Sequence, residues 1–295
     1  CLVVSVLASA ADGVIKHADN DGPSYRPADE VVGKWKYNSP SSFSASCVVI
    51  DPNWVVTTRH QSTPEGSKAR IGGQTYLIAE IFDHPTADLR LGWLQTEDGG
   101  PANLVDSVPV YTGSSEAYEY TVIGGYGDQR GSTLYDEDEA YGYAWGPPND
   151  STWQLKCDFD ENGLTYEAAI GDHDSGSGWF VDVDVDGQWE LAAIGKAVDR
   201  FDETWFDNPN QFGTNPDFFY GVRLTQYDTW IEDTIADWLV PGDANDDKLV
   251  DLVDLGILAN NWGNSGLTRE QGDFNGDGMA DLLDLAILAD NFNYG

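Results

Sequence analysis

Between Val31 and Leu224 the chain consists of short apolar runs, each ended by Gly, Pro, Asn or Asp. Runs of this length that are rich in β-branched and aromatic residues predict β-strands, and frequent turns between them are typical of a sandwich or a barrel. The composition agrees with a turn-rich β protein, because the chain has 32 Gly and 14 Tyr but a single Met. The sequence therefore predicts a mostly β protein. The clearest runs are CVVIDPNWVVTT, QTYLIAEIF, LRLGWL, YEYTVIGGY and FFYGVRL.

One hairpin is visible within residues 181–194. Three valines alternate with aspartates up to Asp186-Gly187, and the chain returns as QWELAAI. An Asp-Gly pair between two such runs predicts a hairpin turn. The same DVDVDG segment copies the start of a calcium loop, but its twelfth position is Ala193, which has no side-chain oxygen. The hairpin turn is the preferred interpretation.

The periodicity changes in residues 225–239. In TQYDTWIEDTIADWL the apolar side chains recur at helical spacing, and Pro241-Gly242 follows. This pattern predicts an amphipathic helix that Thr225 caps and that ends before Pro241.

An internal repeat follows the predicted helix. Residues 243–263 align with residues 273–293 at an offset of 30, and 11 of the 21 positions are identical. Each copy is a polar loop that leads into an apolar helix, so the two copies predict one small unit that packs on itself.

The two repeated loops place oxygen-bearing residues at the spacing of a calcium-binding loop, in which positions 1, 3, 5, 9 and 12 donate side-chain oxygens and position 7 donates a carbonyl. The loops differ at position 6, where the first has Lys248 and the second Gly278. We expect two Ca²⁺ ions, with weaker binding by the first loop. The first set is Asp243, Asn245, Asp247, Leu249, Asp251 and Asp254, and the second is Asp273, Asn275, Asp277, Met279, Asp281 and Asp284.

Residues 241–295 resemble a type I dockerin, because Asp stands at position 12 of both loops and the helices read LGILAN and LAILAD. The resemblance implies two antiparallel helices held by calcium, which dock to a cohesin-type receptor or to a cell-surface component. In dockerins, positions 10 and 11 help to select the partner. Here they are Leu252-Val253 and Leu282-Leu283 rather than small hydroxyl residues.

Three segments carry the residues of a nucleophilic site. VVTTRHQ ends an apolar run at His60, HPTADLRLGWL places Asp88 before another, and GDHDSGSGWF holds Ser175 in a Ser-Gly turn. Acyl transfer by serine needs a base to take its proton and a carboxylate to orient that base. We expect His60 to be the base, Asp88 to orient it, and the backbone N–H groups of His173 and Ser175 to hold the oxyanion. No cofactor is needed for this chemistry.

The order and context of these segments resemble the chymotrypsin/trypsin-like serine peptidases over residues 31–239. The matching motifs are WVVTTRH, ADLRLGWL, DSGSGWF and YGVRLTQYDTWI. The resemblance implies two packed six-stranded β-barrels with the site between them and a C-terminal helix, followed here by a small all-α calcium-binding domain. Gln61 replaces the usual cysteine, and His173 replaces a glycine. An inactive peptidase-like binding or adhesion protein is therefore the alternative.

The resemblance leaves the substrate preference open. The floor of the primary pocket would be Ala169 or Ile170, neither of which is acidic, so a preference for Lys or Arg is not supported. The wall would be 196–198, where Lys196 either favours an acidic side chain or ends a solvated strand.

The expected organisation has four parts. Residues 1–10 resemble a truncated signal peptide ending in Ala-Ser-Ala, residues 11–30 a leader or linker, residues 31–240 the peptidase-like domain and residues 241–295 the dockerin-like domain. The segment Val31–Trp35, VVGKW, is either the first barrel strand, which is the preferred interpretation, or a new N-terminus produced by cleavage after Glu30.

Cys47 and Cys157 either pair or stay reduced, and neither is assigned a catalytic role. The net charge of −36 repels nucleic acid and anionic membranes. No internal apolar stretch approaches the ~20 residues of a membrane span.

The sequence thus predicts a secreted serine endopeptidase, free or attached to the cell surface, that acts on a protein or peptide substrate. A polysaccharide-degrading enzyme is disfavoured, because no pair of carboxylates stands out as a glycosidase acid and nucleophile.

Overall fold

The computed structural model describes residues 14–16, 25–36, 45–114, 116, 121–126, 140–144, 154–159, 168–170, 174–199 and 217–293. The segment predicted to be a signal peptide, residues 1–10, and the predicted oxyanion residue His173 lie outside these ranges. The chain divides into two compact units, Cys1–Asp98 with Ala102–Asp228, and Gly99–Pro101 with Thr229–Gly295.

The described residues form mostly β-strands in the first unit and helices in the second, as the sequence predicts. The strands are β1 (Val14–Lys16), β2 (Val32–Trp35), β3 (Ala45–Asp51), β4 (Trp54–Thr57), β5 (Lys68–Ile71), β6 (Gln74–Asp83), β7 (Arg90–Gln95), β8 (Thr121–Gly125), β9 (Ala140–Ala144), β10 (Gln154–Phe159), β11 (Ala168–Ile170), β12 (Gly178–Val181), β13 (Glu190–Asp199) and β14 (Asp217–Arg223). The helices are α1 (Asp228–Trp238), α2 (Leu252–Asn261) and α3 (Leu282–Asn291), with single 3₁₀ turns at Asp29–Val31, Arg59–Gln61, Leu224–Gln226 and Arg269–Gln271.

The first six-stranded sheet is a closed barrel in the order β2-β3-β4-β7-β6-β5. Its interior is filled by fully buried apolar side chains, among which Trp35 is the largest. Gly92 on β7 makes room for that ring, because a Cβ at this position would lie 2.7 Å from the nearest Trp35 carbon. The predicted first barrel is therefore confirmed.

The second six-stranded sheet runs β10-β14-β13-β12-β8-β9. Its core contains Trp179 packed edge-on against Phe219 at 5.2 Å between ring centroids. The predicted strand number is confirmed. Within the described residues no ladder joins the edge strands β9 and β10, so closure of the second barrel stays a prediction. Neighbouring strands in the described sheet are antiparallel.

A separate two-stranded sheet involves the segment expected to be a linker. β1 pairs with β11 in antiparallel register, with Val14 opposite Ile170 and Lys16 opposite Ala168. Residues 11–30 are thus not wholly a linker, since part of this segment hydrogen-bonds to the strand that precedes the Ser175 loop.

The predicted hairpin between β12 and β13 is present, but its strands are shorter than the valine alternation suggests. β12 ends at Val181, which pairs with Glu190. The side chain of Asp182 accepts the N–H groups of Asp186 and Gly187, and Val185 adopts φ +55°. These local hydrogen bonds replace the ladder, so a longer loop takes the place of a tight turn.

The second unit packs its helices around a small apolar core. Val250, Leu258 and Leu288 are buried there, together with Ala280. Helices α2 and α3 begin alike. The side chains of Asp251 and Asp281 accept the N–H two residues on, and their own backbone N–H groups donate to the carboxylates of Asp254 and Asp284. Helix α1 begins at Asp228, three residues after the predicted cap Thr225, and belongs almost entirely to this unit.

Cys47 and Cys157 are both buried free thiols. Burial raises the pKa of the Cys47 thiol, which keeps it protonated and unreactive. None of the described helices combines the length and the apolar character that crossing a bilayer requires.

Candidate active site and calcium loops

His60 lies at the end of a barrel strand. β4 leads through Thr58 into a one-turn 3₁₀ helix, Arg59–Gln61, which Ser62 ends in the left-handed conformation at φ +46°. The turn stops the strand and exposes the imidazole at the barrel rim, with 44% of the His60 side chain accessible.

Asp88 fixes His60 by two hydrogen bonds. One carboxylate oxygen accepts the His60 backbone N–H at 2.9 Å, and the other accepts ring Nδ1–H at 2.7 Å. Burial opposes ionisation of Asp88 most strongly, but the hydrogen bonds and charge of His60, with a contribution from Lys196, outweigh it and hold the pKa of Asp88 below its ordinary value. The ionised carboxylate therefore fixes the proton of the neutral imidazole on Nδ1 and leaves Nε2 free to accept.

Ser175 is held by a turn that hydrogen bonds anchor on both sides. Its carbonyl accepts the N–H of Ser46 on β3 at 2.9 Å, and the next residue, Gly176, donates to the carbonyl of Gly195 on β13 at 2.8 Å. Gly176 has φ +89°, a conformation that favours glycine. The turn thus connects both six-stranded sheets.

The three predicted residues come together. His60 Nε2 accepts the Ser175 hydroxyl at 2.8 Å, which is the geometry of a base that can remove the serine proton. The Gln61 side-chain amide also donates to His60 Nε2, at 3.1 Å. Two donors therefore share one lone pair.

Sequence reasoning missed two residues behind the nucleophile. Thr57 Oγ1 donates to the carbonyl of Ser46 at 2.7 Å, and Ser46 Oγ accepts the backbone N–H of Tyr126 at 2.7 Å. Both side chains are fully buried. Ser46 thereby ties the nucleophile turn to both sheets, although no local sequence signal marks it.

The segments expected to form the primary pocket are partly core. Ala169 and Ile170 are 0% and 2% exposed within the apolar cluster of the second sheet, and Val198 packs against the same cluster. Lys196 instead lines a cavity with Asp88. Val31, buried at the entrance to β2, lies where the preferred first-strand interpretation puts it.

Comparison with solved structures finds a fold likeness. The chain matches neuropsin, described as a serine protease expressed in the limbic system of mouse brain, with a TM-score of 0.52 and 16% sequence identity over 70% of this chain and 95% of neuropsin. No protein-family profile and no curated protein sequence matches the chain. The closed barrel, the second six-stranded sheet and this likeness are consistent with a chymotrypsin-like fold.

The two repeated loops have the same internal hydrogen bonds. Asp254 accepts the N–H groups of Ala244 and Asn245, and Asp284 accepts those of the equivalent residues 30 positions on. At position 5 of each loop, Asp247 and Asp277 accept the N–H of the position-7 residues Leu249 and Met279. In the described part of the chain, no three His, Cys, Asp or Glu side chains already converge as a metal cluster.

The first loop nonetheless contains a buried oxygen that suits a cation. Asp243 is 0% exposed, and its Oδ1 has no hydrogen-bond partner. Burial raises the pKa of Asp243 to about 6, and the nearby charges of Asp246 and Asp254 add to the effect, while the Lys248 N–H and Arg269 oppose it. A hard divalent cation beside that oxygen would satisfy it, so the donor set fits Ca²⁺.

Position 6 of the first loop is Lys248, where the second loop has Gly278. The ammonium group of Lys248 is held in place by its neighbours. Lys248 adopts φ +68°, and its ammonium donates to the Trp238 carbonyl at 3.0 Å and to Asp246 at 3.2 Å. The same ammonium lies 4.7 Å from the centroid of the Trp238 ring. The first loop is therefore tied to the end of α1.

The residues predicted to select a partner are exposed. Leu252 and Val253 are 72% and 54% accessible at the start of α2, and Leu282 and Leu283 are 69% and 59% accessible at the start of α3. The four exposed aliphatic side chains therefore form two small apolar surfaces, one at the start of each helix.

Proposed function

We propose that residues 31–240 form a serine endopeptidase of the trypsin-like kind. The observation that carries the proposal is the continuous chain of hydrogen bonds from Asp88 through His60 to Ser175, at 2.7 Å and 2.8 Å. The fold likeness to neuropsin supports it, since that protein is described as a serine protease and matches 70% of this chain.

The proposed reaction proceeds by acyl transfer. His60 Nε2 removes the Ser175 proton as Ser175 Oγ attacks the peptide carbonyl, and His60 then returns that proton to the departing amine, which breaks the peptide C–N bond. Water, deprotonated by the same imidazole, cleaves the resulting ester and regenerates Ser175. Asp88 stays ionised throughout and stabilises the imidazolium. The backbone N–H groups of Ser175 and His173 are the proposed donors to the oxyanion.

We further propose that residues 241–295 form a calcium-dependent tether on a secreted protein. The first ion would be held by Asp243, Asn245, Asp247, Asp251 and Asp254 with the Leu249 carbonyl, and the second by Asp273, Asn275, Asp277, Asp281 and Asp284 with the Met279 carbonyl. Bound calcium would supply folding free energy to this small unit. The proposed partner is a cohesin-like or cell-surface protein that covers Leu252, Val253, Leu282 and Leu283.

A fluorophosphonate probe tests the peptidase proposal directly. The wild-type chain, with calcium present, should be labelled, and Ser175→Ala should abolish labelling without changing the circular dichroism spectrum. Peptide hydrolysis should disappear in His60→Ala. Equal labelling of wild type and Ser175→Ala, or no labelling of a folded wild type, would refute the peptidase proposal and favour the inactive binding protein instead.

A further inference from the structure

Lys196 occupies an irregular position in β13. On β13, Gly195 pairs with Gly221 of β14, whereas Ala197 pairs with Tyr220, so the register shifts across Lys196. A residue left without an opposite partner in this way is a β-bulge, which changes the direction of its side chain relative to the strand.

The bulge is anchored to the nucleophile turn. Gly195, immediately before Lys196, donates to the Ser177 carbonyl at 2.7 Å and accepts from Gly176 at 2.8 Å. A Cβ on Gly195 would lie 2.2 Å from Ser177 Oγ, so no larger residue fits there. The backbone at Lys196 therefore has a fixed position relative to Ser175.

Lys196 and Asp88 line one cavity of about 570 Å³. Among the described residues, Lys196 has no carboxylate at ion-pair distance, and Asp88 is the acidic side chain on the cavity wall. Neither His60 nor Ser175 is among the described residues that line the cavity, so Lys196 shares this wall with Asp88 and not with the reacting hydroxyl.

Among the described residues, two other titratable side chains line this cavity. His84 and Tyr227 line it and pack edge to face at 4.9 Å. Arg59 donates to the His84 carbonyl at 2.7 Å. Burial, followed by the charge of Arg59, lowers the pKa of His84, so His84 is neutral near pH 7 and Lys196 is the cation that faces Asp88 from β13.

We propose that Lys196 is a positioning residue that acts on the proposed peptidase reaction through Asp88. Its charge favours ionised Asp88 and opposes protonated His60, so the base stays available at lower pH than it would beside a neutral side chain. The proposal rests on the proposed function of the Asp88–His60–Ser175 chain.

Replacing the cation with a side chain of similar length tests this role. In Lys196→Met the acid limb of the kcat/KM profile should move to higher pH by about half a unit, the size of one charge in a partly solvated site. The plateau of kcat/KM at high pH should stay within about threefold of the wild-type value. Lys196→Arg should keep the wild-type profile, and the matched control Lys68→Met, which removes a surface cation paired with Glu97 on the first barrel, should leave it unmoved.

Salt should reduce the difference between wild type and Lys196→Met, because added ions screen the same charge. Coincident acid limbs for wild type and Lys196→Met would overturn the proposal while leaving the peptidase proposal intact. A changed KM for acidic peptides with an unmoved acid limb would also overturn it, and would make Lys196 a substrate-binding residue.

A second measurement does not depend on activity. In chains that carry Ser175→Ala, carbon-detected NMR of the Asp88 carboxyl should show a higher midpoint of protonation when Lys196→Met is added. An unchanged midpoint would overturn the proposal even if the chain proves not to be a peptidase.

Discussion

A side-chain carbon on Gly176 would lie 2.0 Å from the carbonyl oxygen of Ser46 and 2.3 Å from Thr57 Oγ1. The nucleophile turn therefore rests directly on the backbone of β3, with no space between them. This close approach fixes the position of Ser175 relative to His60, because the backbone N–H of Ser46 also donates to the Ser175 carbonyl.

Gly176→Ala should displace the turn and destabilise the first unit. We expect a loss of about 3 kcal/mol in the free energy of unfolding, from the steric clash and from φ +89° together, and a fall in fluorophosphonate labelling of about 100-fold. Urea unfolding and labelling rates measure the two effects. The control is Gly187→Ala, which has φ +87° but open space around the new carbon. Equal losses in the two variants would show that the contact with Ser46 is unimportant.

Gln61→Leu should make the site more reactive. The Gln61 amide and the Ser175 hydroxyl both donate to the lone pair of His60 Nε2. Without the amide, the Ser175 hydroxyl no longer competes for that lone pair. Since one hydrogen bond contributes roughly 1 kcal/mol, we expect fluorophosphonate labelling to accelerate about threefold. Gln61→Asn, whose shorter side chain withdraws the amide, should behave in the same way. Slower labelling of both variants would mean that the amide assists the base.

Asp88→Asn should weaken the site and change its response to acid. The depressed pKa of Asp88 stabilises the fold above the ordinary Asp value of ~4, and this stabilisation is lost as pH falls through the depressed value. The stability difference between wild type and variant should therefore shrink between pH 7 and pH 2. Urea unfolding across that range measures it, and a difference that grows in acid would contradict the expected sign. At neutral pH, labelling should fall by about 10³–10⁴-fold.

Calcium removal should destabilise the second unit and spare the first. We expect two calorimetric transitions in the full chain, of which a chelator lowers one by at least 10 °C, on the order of what a few kcal/mol of binding energy gives to a small domain. Asp284→Ala should reduce this response, because Asp284 organises the second loop. The control is Asp182→Asn, in the loop that lacks an oxygen at its twelfth position. A chelator that moves neither transition would refute the calcium sites.

Lys248→Met should loosen the first loop from α1. The variant loses the hydrogen bond to the Trp238 carbonyl and the contact with the Trp238 ring, for which we expect about 1–2 kcal/mol of stability in the second unit. Trp238 fluorescence should shift to the red as the ring gains contact with water. Lys248→Arg should retain most of the stability. An unshifted spectrum in Lys248→Met would show that the ammonium does not hold the ring.

The closed first barrel was predicted from the resemblance to the peptidase family, and the structure confirms it. The same resemblance singled out His60, Asp88 and Ser175, whose side chains the structure brings into hydrogen-bond contact. The sequence did not predict the contacts of Ser46, since these depend on the packing of β3 against a turn far along the chain. The cavity shared by Asp88 and Lys196 was missed because it depends on a register shift in β13, and hydrophobic alternation carries no information about bulges.

The errors at the ends of strands have a common physical origin. Residues 182–185 alternate as a strand does, but the side chain of Asp182 takes the N–H groups that the ladder would use. Local competition between a side chain and the backbone decides such cases. Pattern alone cannot detect it, because polar residues serve equally well on the solvent face of a strand.

The ladder between Val14–Lys16 and Ala168–Ile170 has a consequence for maturation. A cut after Glu30 would not release the severed peptide, because this ladder and the contacts of Tyr25 with Asp182 and Trp189 would still hold it to the body of the protein. The processed protein would be a two-chain assembly. Its shorter chain would protect the strand that leads to the Ser175 turn, and dissociation of that peptide would expose an unpaired strand edge.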